Sequence, residues 1–182
     1  MATPTTLPAT FVAGNILTAA QMNSLRGAFR VLQIASVTKT DTFTTSSATY
    51  VDLTGLTLTI TPSSATSQIL VSYSVQASGN AGTNMGGIQI LRGATAIGNA
   101  AAASNRSVGN TVIPELGAAV FGQVTNTFLD SPATTSATTY KLQIRTFGAG
   151  GTIIYVNRTQ TDSDLAAFGR GTSTLTVMEI SA

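Results

Sequence analysis

The chain has 182 residues, enough for one domain, or one domain with a tail, and for a sizeable core. It contains no cysteine, histidine or tryptophan, which excludes a disulfide framework, thiolate metal sites, a cysteine nucleophile and the usual imidazole base. Only 9% of residues are charged, against about 25% in typical soluble proteins, and the net charge is +2.

A surface this poor in charge predicts extensive cover by copies of the same chain or by other proteins. A monomer hydrated by its hydroxyl groups is the competing reading. The isoelectric point is near 9.3. The nine cations are nonetheless scattered, so no basic stripe marks a nucleic-acid partner. No apolar run approaches the roughly 18 residues of a membrane span, and residues 1–10 lack the basic start and apolar core of a secretory signal.

Residues 1–10, with two prolines and four threonines, read as an extended arm. Thr18-Ala19-Ala20-Gln21 fits a capping box, and Leu17 with Met22 fits a hydrophobic staple. Leu25, Phe29 and Leu32 continue an apolar stripe, predicting a short helix from Ala19 to Ala28. At under about 12 residues it needs a surface to pack on: its own domain, a sister chain or a docking partner. Phe11, Ile16, Leu17, Met22, Leu25 and Phe29 are therefore the candidate docking or oligomer-interface residues. Residues 1–30 form the attachment segment and residues 31–182 the folded domain.

From Val31 the apolar period falls to about two. Val31–Lys39 reads as a strand, Asp41–Thr49 as a turn with a short extended piece at Phe43, and Tyr50–Thr61 as a strand with Leu56, Leu58 and Ile60 on one face. Pro62–Thr66 closes it, and Gln68–Ala77 follows with Ile69, Val71, Tyr73 and Val75 inward. Ser78–Gly87 reads as a flexible loop, Ile88–Arg92 as a short strand turning at Gly93 into Ala96-Ile97, and Gly98–Asn110 as a long small-residue loop. Thr111–Ala118 leads into a strand at Ala119–Asp130, either buried on both faces or kinked at Gly122. After the turn Ser131–Thr139, Tyr140, Leu142 and Ile144 alternate with Lys141, Gln143 and Arg145. Gly148–Gly151 then predicts a tight reversal, with Ile153–Val156 running back as the second strand of a hairpin. Asn157–Gly171 is a polar loop, and Thr172–Ile180 the last strand. About eight strands with Gly/Ser/Thr turns predict an all-β, antiparallel two-sheet sandwich, jelly-roll-like, preceded by the arm and helix.

Chemistry is sparse. Asp162-Ser163-Asp164 is the one close acidic pair, and with no third acid nearby it offers too little for calcium; a solvated or turn-capping loop is the simpler reading. No pair of carboxylates is marked for glycoside hydrolysis. Only Lys39 and Lys141 could serve a serine nucleophile, with no Ser-x-x-Lys spacing, nucleophile elbow or phosphate loop. Asn105-Arg106-Ser107 and Asn157-Arg158-Thr159 match the glycosylation sequon, a match expected by chance in so Ser/Thr-rich a chain. Arg145, Arg158 and Arg170 are candidates to pair with Asp162, Asp164 or a neighbouring subunit, and ordinary rim charges are the preferred reading. The four tyrosines lie in strand patterns and read as core residues with a hydroxyl at the edge. No enzymatic activity, cofactor or metal is expected.

Two stretches carry a family resemblance. FVAGNILTAAQMNSL (residues 11–25) resembles the leader of many bacteriophage tail and fibre proteins. FLDSPATTSATTYKLQIRTFGAGGTIIYVNR (residues 128–158), with the terminal STLTVMEI strand, resembles a β-sandwich module of phage structural proteins. The resemblance implies a virion structural protein docked through its leader, as a capsid decoration or head fibre or as a short tail fibre. It implies a homo-oligomer, a trimer in proteins of this kind, with capsid or tail proteins as further partners. A receptor- or carbohydrate-binding knob that meets a host-surface glycan is the alternative. The residues then need no nucleic acid and no membrane, and the location is the virion, assembled in the host cytoplasm.

Overall fold

The computed structural model describes residues 31–80, 86–114, 116, 119–148 and 151–181, with Gly14, Ile16, Thr18, Ala19 and Met22 ahead of them. The strands in chain order are β1 (Val31–Lys39), β2 (Phe43–Thr45), β3 (Val51–Ile60), β4 (Gln68–Gly79), β5 (Gly86–Arg92), β6 (Thr95–Ile97), β7 (Thr111–Ile113), β8 (Gly122–Asp130), β9 (Thr138–Thr146), β10 (Ile154–Val156) and β11 (Ser173–Ile180). They form two antiparallel sheets, so the chain is an all-β, two-sheet sandwich. The predicted helix lies almost wholly outside the described residues. Within it, the Met22 N–H bonds the Thr18 carbonyl at 3.0 Å, and no helix is among the described elements.

The eleven strands among the described residues occupy eight places. In the first sheet β4 is the longest strand, and its one edge is shared: β11 covers Gln68 to Ser74 and β10 covers Ala77 to Gly79. β1 then lies outside β11, β2 outside β10, and β8 takes the other edge of β4. In the second sheet the order is β3, β9, β5, and the far edge of β5 is shared by β6 and β7. The pairs nest, β1 with β11, β3 with β9, β4 with β8, and β5 with β6 and β7. That nesting fits the jelly-roll-like winding expected from the strand pattern.

The alternating residues fill the space between the sheets. Ile69, Val71, Tyr73 and Val75 of β4 and Tyr140, Leu142 and Ile144 of β9 are buried, as their spacing predicts, with Leu175 and Val177 of β11 and Ile88 and Ile90 of β5. Each fully buried aliphatic side chain contributes on the order of 2 kcal/mol. β3 departs from strict alternation. Leu53 and Leu56 are both fully buried although three positions apart, because the register against β9 jumps between Asp52 and Thr57. Gly55 sits in that bulge with φ +87°, a conformation that costs a residue with a Cβ.

Several expectations are corrected. Ser78 and Gly79 belong to β4, and Gly86 and Gly87 to β5, so the loop between them is shorter than Ser78–Gly87. The strand read at Ala119 starts at Gly122 and is buried on one face only: Leu129 is 45% exposed. The largest correction concerns the hairpin. β9 and β10 do not pair, because β9 lies between β3 and β5 in the second sheet and β10 lies between β4 and β2 in the first. The glycine-rich stretch is a crossover. Asn80, at the end of β4, receives it: its Nδ2 donates to the Gly151 carbonyl at 2.8 Å and its Oδ1 accepts the Ile153 N–H at 2.6 Å. The physical reason is that β11 stops short on β4, and Ala77 to Gly79 would otherwise face the core with an unpaired edge.

Where one strand hands over to the next, an asparagine closes the gap. Along β4 it is Asn157, fully buried at φ +62° between β10 and the loop to β11. Its N–H bonds the Gln76 carbonyl at 2.9 Å, its Nδ2 donates to the carbonyls of Lys39 and Asp41 at 2.9 Å each, and its Oδ1 accepts the Ser173 hydroxyl at 2.5 Å. Along β5 it is Asn110, between β6 and β7: its Oδ1 accepts the Ile90 N–H and its Nδ2 donates to the Ile97 carbonyl at 2.9 Å. The side-chain amides stand in for the peptide groups that an unbroken strand would supply.

Two buried acids fasten the sandwich at its margins. Asp130, ending β8, accepts the Tyr140 hydroxyl at 2.6 Å and Arg92 Nη1 at 2.8 Å, so one carboxylate joins the two sheets. Burial, and then the hydrogen bond to Asp130, push the Tyr140 phenol far above its ordinary range. Glu179, with no exposed surface, accepts the Ser63 N–H at 2.7 Å, the Ser63 hydroxyl at 2.6 Å and Gln33 Nε2 at 2.5 Å. Burial alone would raise its pKa; the hydrogen bonds from Ser63 and Gln33 outweigh that and hold it at about 2.

Asn157→Ala is expected to lower unfolding free energy by about 3 kcal/mol or more in urea titration, because it strands two carbonyls and the Ser173 hydroxyl and leaves a Cβ at positive φ. Because the Glu179 pKa is depressed on folding, its stabilisation is present above the ordinary value of 4.5 and is lost as pH falls toward about 2. Glu179→Gln should therefore be less stable than the parent at neutral pH and show a flatter decline over that acid window, measured by thermal melts against pH.

Candidate interaction surface

The two outer faces of the sandwich differ in chemistry. On the second sheet the outward residues of β9 are tied into a polar web. Lys141 reaches Asp52 Oδ2 at 2.8 Å, Gln143 reaches Asp52 Oδ1 at 2.7 Å, and Gln89 donates to Gln143 at 2.8 Å. The bond from Lys141, then that from Gln143, holds the Asp52 carboxyl below its usual range. Asn99, from the loop over 98–110, donates to Gln89 at 3.1 Å. Ser107 of the same loop accepts Arg145 Nη2 at 3.0 Å, and the Arg145 guanidinium lies 5.0 Å from the Phe147 ring centre and 5.4 Å from that of Tyr50. The long loop thus reaches over this face at Gln89, which is buried, and at Arg145. Lys141, Gln143 and Arg145 are spent on contacts within the chain.

The outer face of the first sheet carries no charged side chain on β1, β11, β4 or β8. The register sorts it into rows. Ile34, Met178, Leu70 and Leu129 face one another across all four strands. The next row is Ser36, Thr176, Ser72 and Thr127, and the one after it Thr38, Thr174, Ser74 and Thr125. The hydroxyls bond along the rows: Ser36 with Thr176 at 2.8 Å and Thr127 to Ser72 at 3.3 Å. Gln123 then donates to Ser74 at 2.8 Å. The apolar end continues into Ile180, which faces Val31 at the chain's entry into β1. Ile34 is 60% exposed and Leu129 45%. Antiparallel sheets commonly solvate one face with polar side chains, and here the polar residues are uncharged. The charge-free face with its apolar band is therefore the candidate contact surface among the described residues.

Of the six residues expected at the docking interface, Phe11, Leu17, Leu25 and Phe29 lie outside the described residues. Ile16 is 93% exposed and Met22 47%. The outer band of the first sheet was missed from sequence. Its signal was present in the outward positions of β1, β4, β8 and β11, which are all Leu, Ile, Met, Ser, Thr or Gln.

At the other end, the loop over 157–171 folds across the sheet. Arg158 and Arg170 form an isolated antiparallel bridge, and both pair with Asp162, Arg158 at 3.0 Å and Arg170 at 2.8 Å. Pairing with Asp162 was a candidate for these two arginines and ordinary rim charges the preferred reading; the pairing is present, and Arg145 does not share it. Arg158 also stacks 4.4 Å from the Tyr155 ring centre. With both Asp162 oxygens engaged by guanidinium groups, Asp162 clamps the loop. No group of three or more acidic, His or Cys side chains that could hold a metal occurs among the described residues. Among them, no helix is long and apolar enough to cross a membrane. The Asn157 sequon is occupied structurally, since its amide is buried and bonded on both sides. Tyr73 is a core residue with its hydroxyl on Thr111 at 2.7 Å, and burial pushes its phenol up to about 12.

No family model matches the chain, and no curated protein matches it. Among solved structures it is similar to that of the infectious bursal disease virus Gt strain, at 14% identity and a TM-score of 0.45, over 100% of this chain and 44% of that one. The Gx strain structure gives 13% identity and 0.43, over 98% and 43%. A mutant VP2 protein of the same virus in derived T=1 particles gives 11% and 0.43, over 99% and 45%. The chain spans less than half the length of each of these proteins.

Asp162→Asn is expected to speed amide exchange across residues 158–171 while changing global stability by less than about 1 kcal/mol, because its ion pairs are partly solvated. A loss of several kcal/mol would make the loop part of the core.

Proposed function

We propose that this chain is a non-enzymatic structural subunit of an assembled particle, an external bacteriophage virion protein. Residues 1–30 attach it, and the jelly-roll-like sandwich of residues 31–182 is the projecting or covering body. The observation that carries the subunit reading is the charge-free outer face of the first sheet, with its apolar row of Ile34, Met178, Leu70 and Leu129. A free monomer has no need of such a face, and an assembling one does. The kind of particle rests on the leader at residues 11–25 and the module at residues 128–158, which resemble those of phage virion proteins.

The ionisable groups support the same reading. Asp130, Asp52, Asp162 and Glu179 are each bonded to partners within the fold. They brace the sheets and loops; Asp162 also lines a cleft of about 360 Å³ with Asp164, Leu165, Phe168 and Arg170, where guanidinium groups engage both of its oxygens. Decoration of a capsid, a head fibre and a short tail fibre all use these parts. A host-binding knob would add a binding role for the loop over 98–110, which lies on the face opposite the charge-free one.

The test is incorporation. Purified particles made with the full chain should contain it by mass spectrometry, and particles made with residues 1–30 removed should not, with the shortened chain still folded by circular dichroism. Its core lies within residues 53–177. Absence of the full chain from particles would overturn the virion role, and retention of the shortened chain would overturn docking through the leader. Loop variants that enter particles yet abolish host adsorption would move the reading to the knob.

A further inference from the structure

The loop over 157–171 closes around a cleft of about 360 Å³, lined by Asp162, Ser163, Asp164, Leu165, Phe168 and Arg170. Its walls are fixed from outside the cleft. Arg158 and Arg170 form their bridge where the loop leaves and rejoins the sheet, and both grip Asp162. The Phe121 ring packs against the returning segment, so closely that a Cβ added at Gly171 would lie 3.0 Å from it and one at Gly169 3.2 Å. At the tip the Leu165 N–H bonds the Ser163 carbonyl at 2.8 Å, and the Phe168 N–H bonds the Leu165 carbonyl at 3.0 Å. A loop held in this way offers a preformed surface, which spares a ligand the cost of ordering it.

The cleft keeps polar groups that the fold does not use. Among the described residues Asp164 has no hydrogen-bond or ion-pair partner. Arg170 is 60% exposed and spends one nitrogen, Nη2, on Asp162, so the rest of its guanidinium fork is open to donate. Leu165 is largely exposed and Phe168 partly so, which gives the cleft an apolar wall.

Charge decides what fits. Asp162 and Asp164 stand against Arg158 and Arg170, so the loop carries no net charge. A simple anion meets Asp164, and a simple cation meets Arg170. Calcium would find a single free carboxylate, far short of its roughly six to eight oxygens. A neutral polyol meets neither penalty, because adjacent hydroxyls donate to a carboxylate and accept from a guanidinium at once. The C–H face of a sugar ring adds the apolar surface that Leu165 and Phe168 can cover. We propose that this cleft binds a neutral saccharide, with Asp164 accepting from its hydroxyls, Arg170 donating to them and Phe168 carrying the apolar face of the ring. The volume is at the low end of ligand pockets, roughly 300–1,000 Å³, and suits one short glycan unit. The site gives the host-binding alternative a different loop from the one over 98–110, but it rests on the cleft alone.

The experiment is a titration of the isotopically labelled full chain, read through its backbone amide NMR signals. The probes are glucose, galactose, mannose, N-acetylglucosamine and N-acetylgalactosamine, with glycine as a zwitterionic control. At least one sugar should give saturable shifts centred on residues 157–171, half-saturating on the order of 1 mM. Asp164→Ala removes no bond within the fold, so circular dichroism should be unchanged while binding weakens about tenfold or more. Phe168→Leu, which keeps an apolar side chain and loses the ring, should weaken it severalfold. Arg106→Ala, in the loop over 98–110, should bind as the parent does.

No saturable shift with any of these sugars overturns the proposal, as does an Asp164→Ala protein of parental affinity. Shifts centred on residues 98–110 and lost with Arg106→Ala also overturn it, and move binding to that loop. Saturable binding of glycine at residues 157–171, without binding of a sugar, overturns the saccharide in favour of a zwitterion. No particle enters the measurement, so it is decided separately from the incorporation test.

Discussion

The fold depends on closing two interrupted strands. β4 and β5 each run past the end of one neighbour and onto another, and at such a break backbone donors and acceptors face a dry interior. Each unsatisfied group would cost on the order of 1–3 kcal/mol. Asn157 and Asn110 prevent this with a side chain that both donates and accepts. Asn157 does more, since its two donated bonds hold the carbonyls of Lys39 and Asp41, where β1 gives way to β2. One residue thereby aligns the breaks in two adjacent places of the sheet. The loop over 157–171 starts from this joint, and its clamp of Arg158, Asp162 and Arg170 is built on a fixed base.

That arrangement separates the outer surfaces by chemistry. The few charges gather on the second sheet and at the margins, where Asp52, Asp130 and Glu179 join strands or sheets. The outer face of the first sheet is left to Ser, Thr, Gln and a row of apolar residues.

Much of the secondary structure was legible. Val31–Lys39 and Ser173–Ile180 announce themselves by period-two alternation, and β4 by Ile69, Val71, Tyr73 and Val75. What was not legible involves partners distant in sequence. Leu53 and Leu56 both reach the core because Gly55 allows a bulge, and a bulge is a relation between β3 and β9. Gly148 to Gly151 has the composition of a tight reversal, yet the strand after it is taken by the free edge of β4 in the other sheet. Asn157 reads as a chance sequon in a polar loop, and only burial turns it into a joint.

The candidate surface divides in the same way. The sequence by itself determined that the chain is all-β, that histidine and cysteine chemistry is absent, and that most outward strand positions are uncharged, because these follow from composition and local alternation. Only the tertiary structure decided which strands share a sheet, and so that Ile34, Met178, Leu70 and Leu129, far apart in the chain, lie in one row. Alternation tells which side of its own strand a residue occupies. Register between strands, set by the bulge, the crossover and the asparagine joints, tells which residues stand beside it, and a binding face is made of the latter.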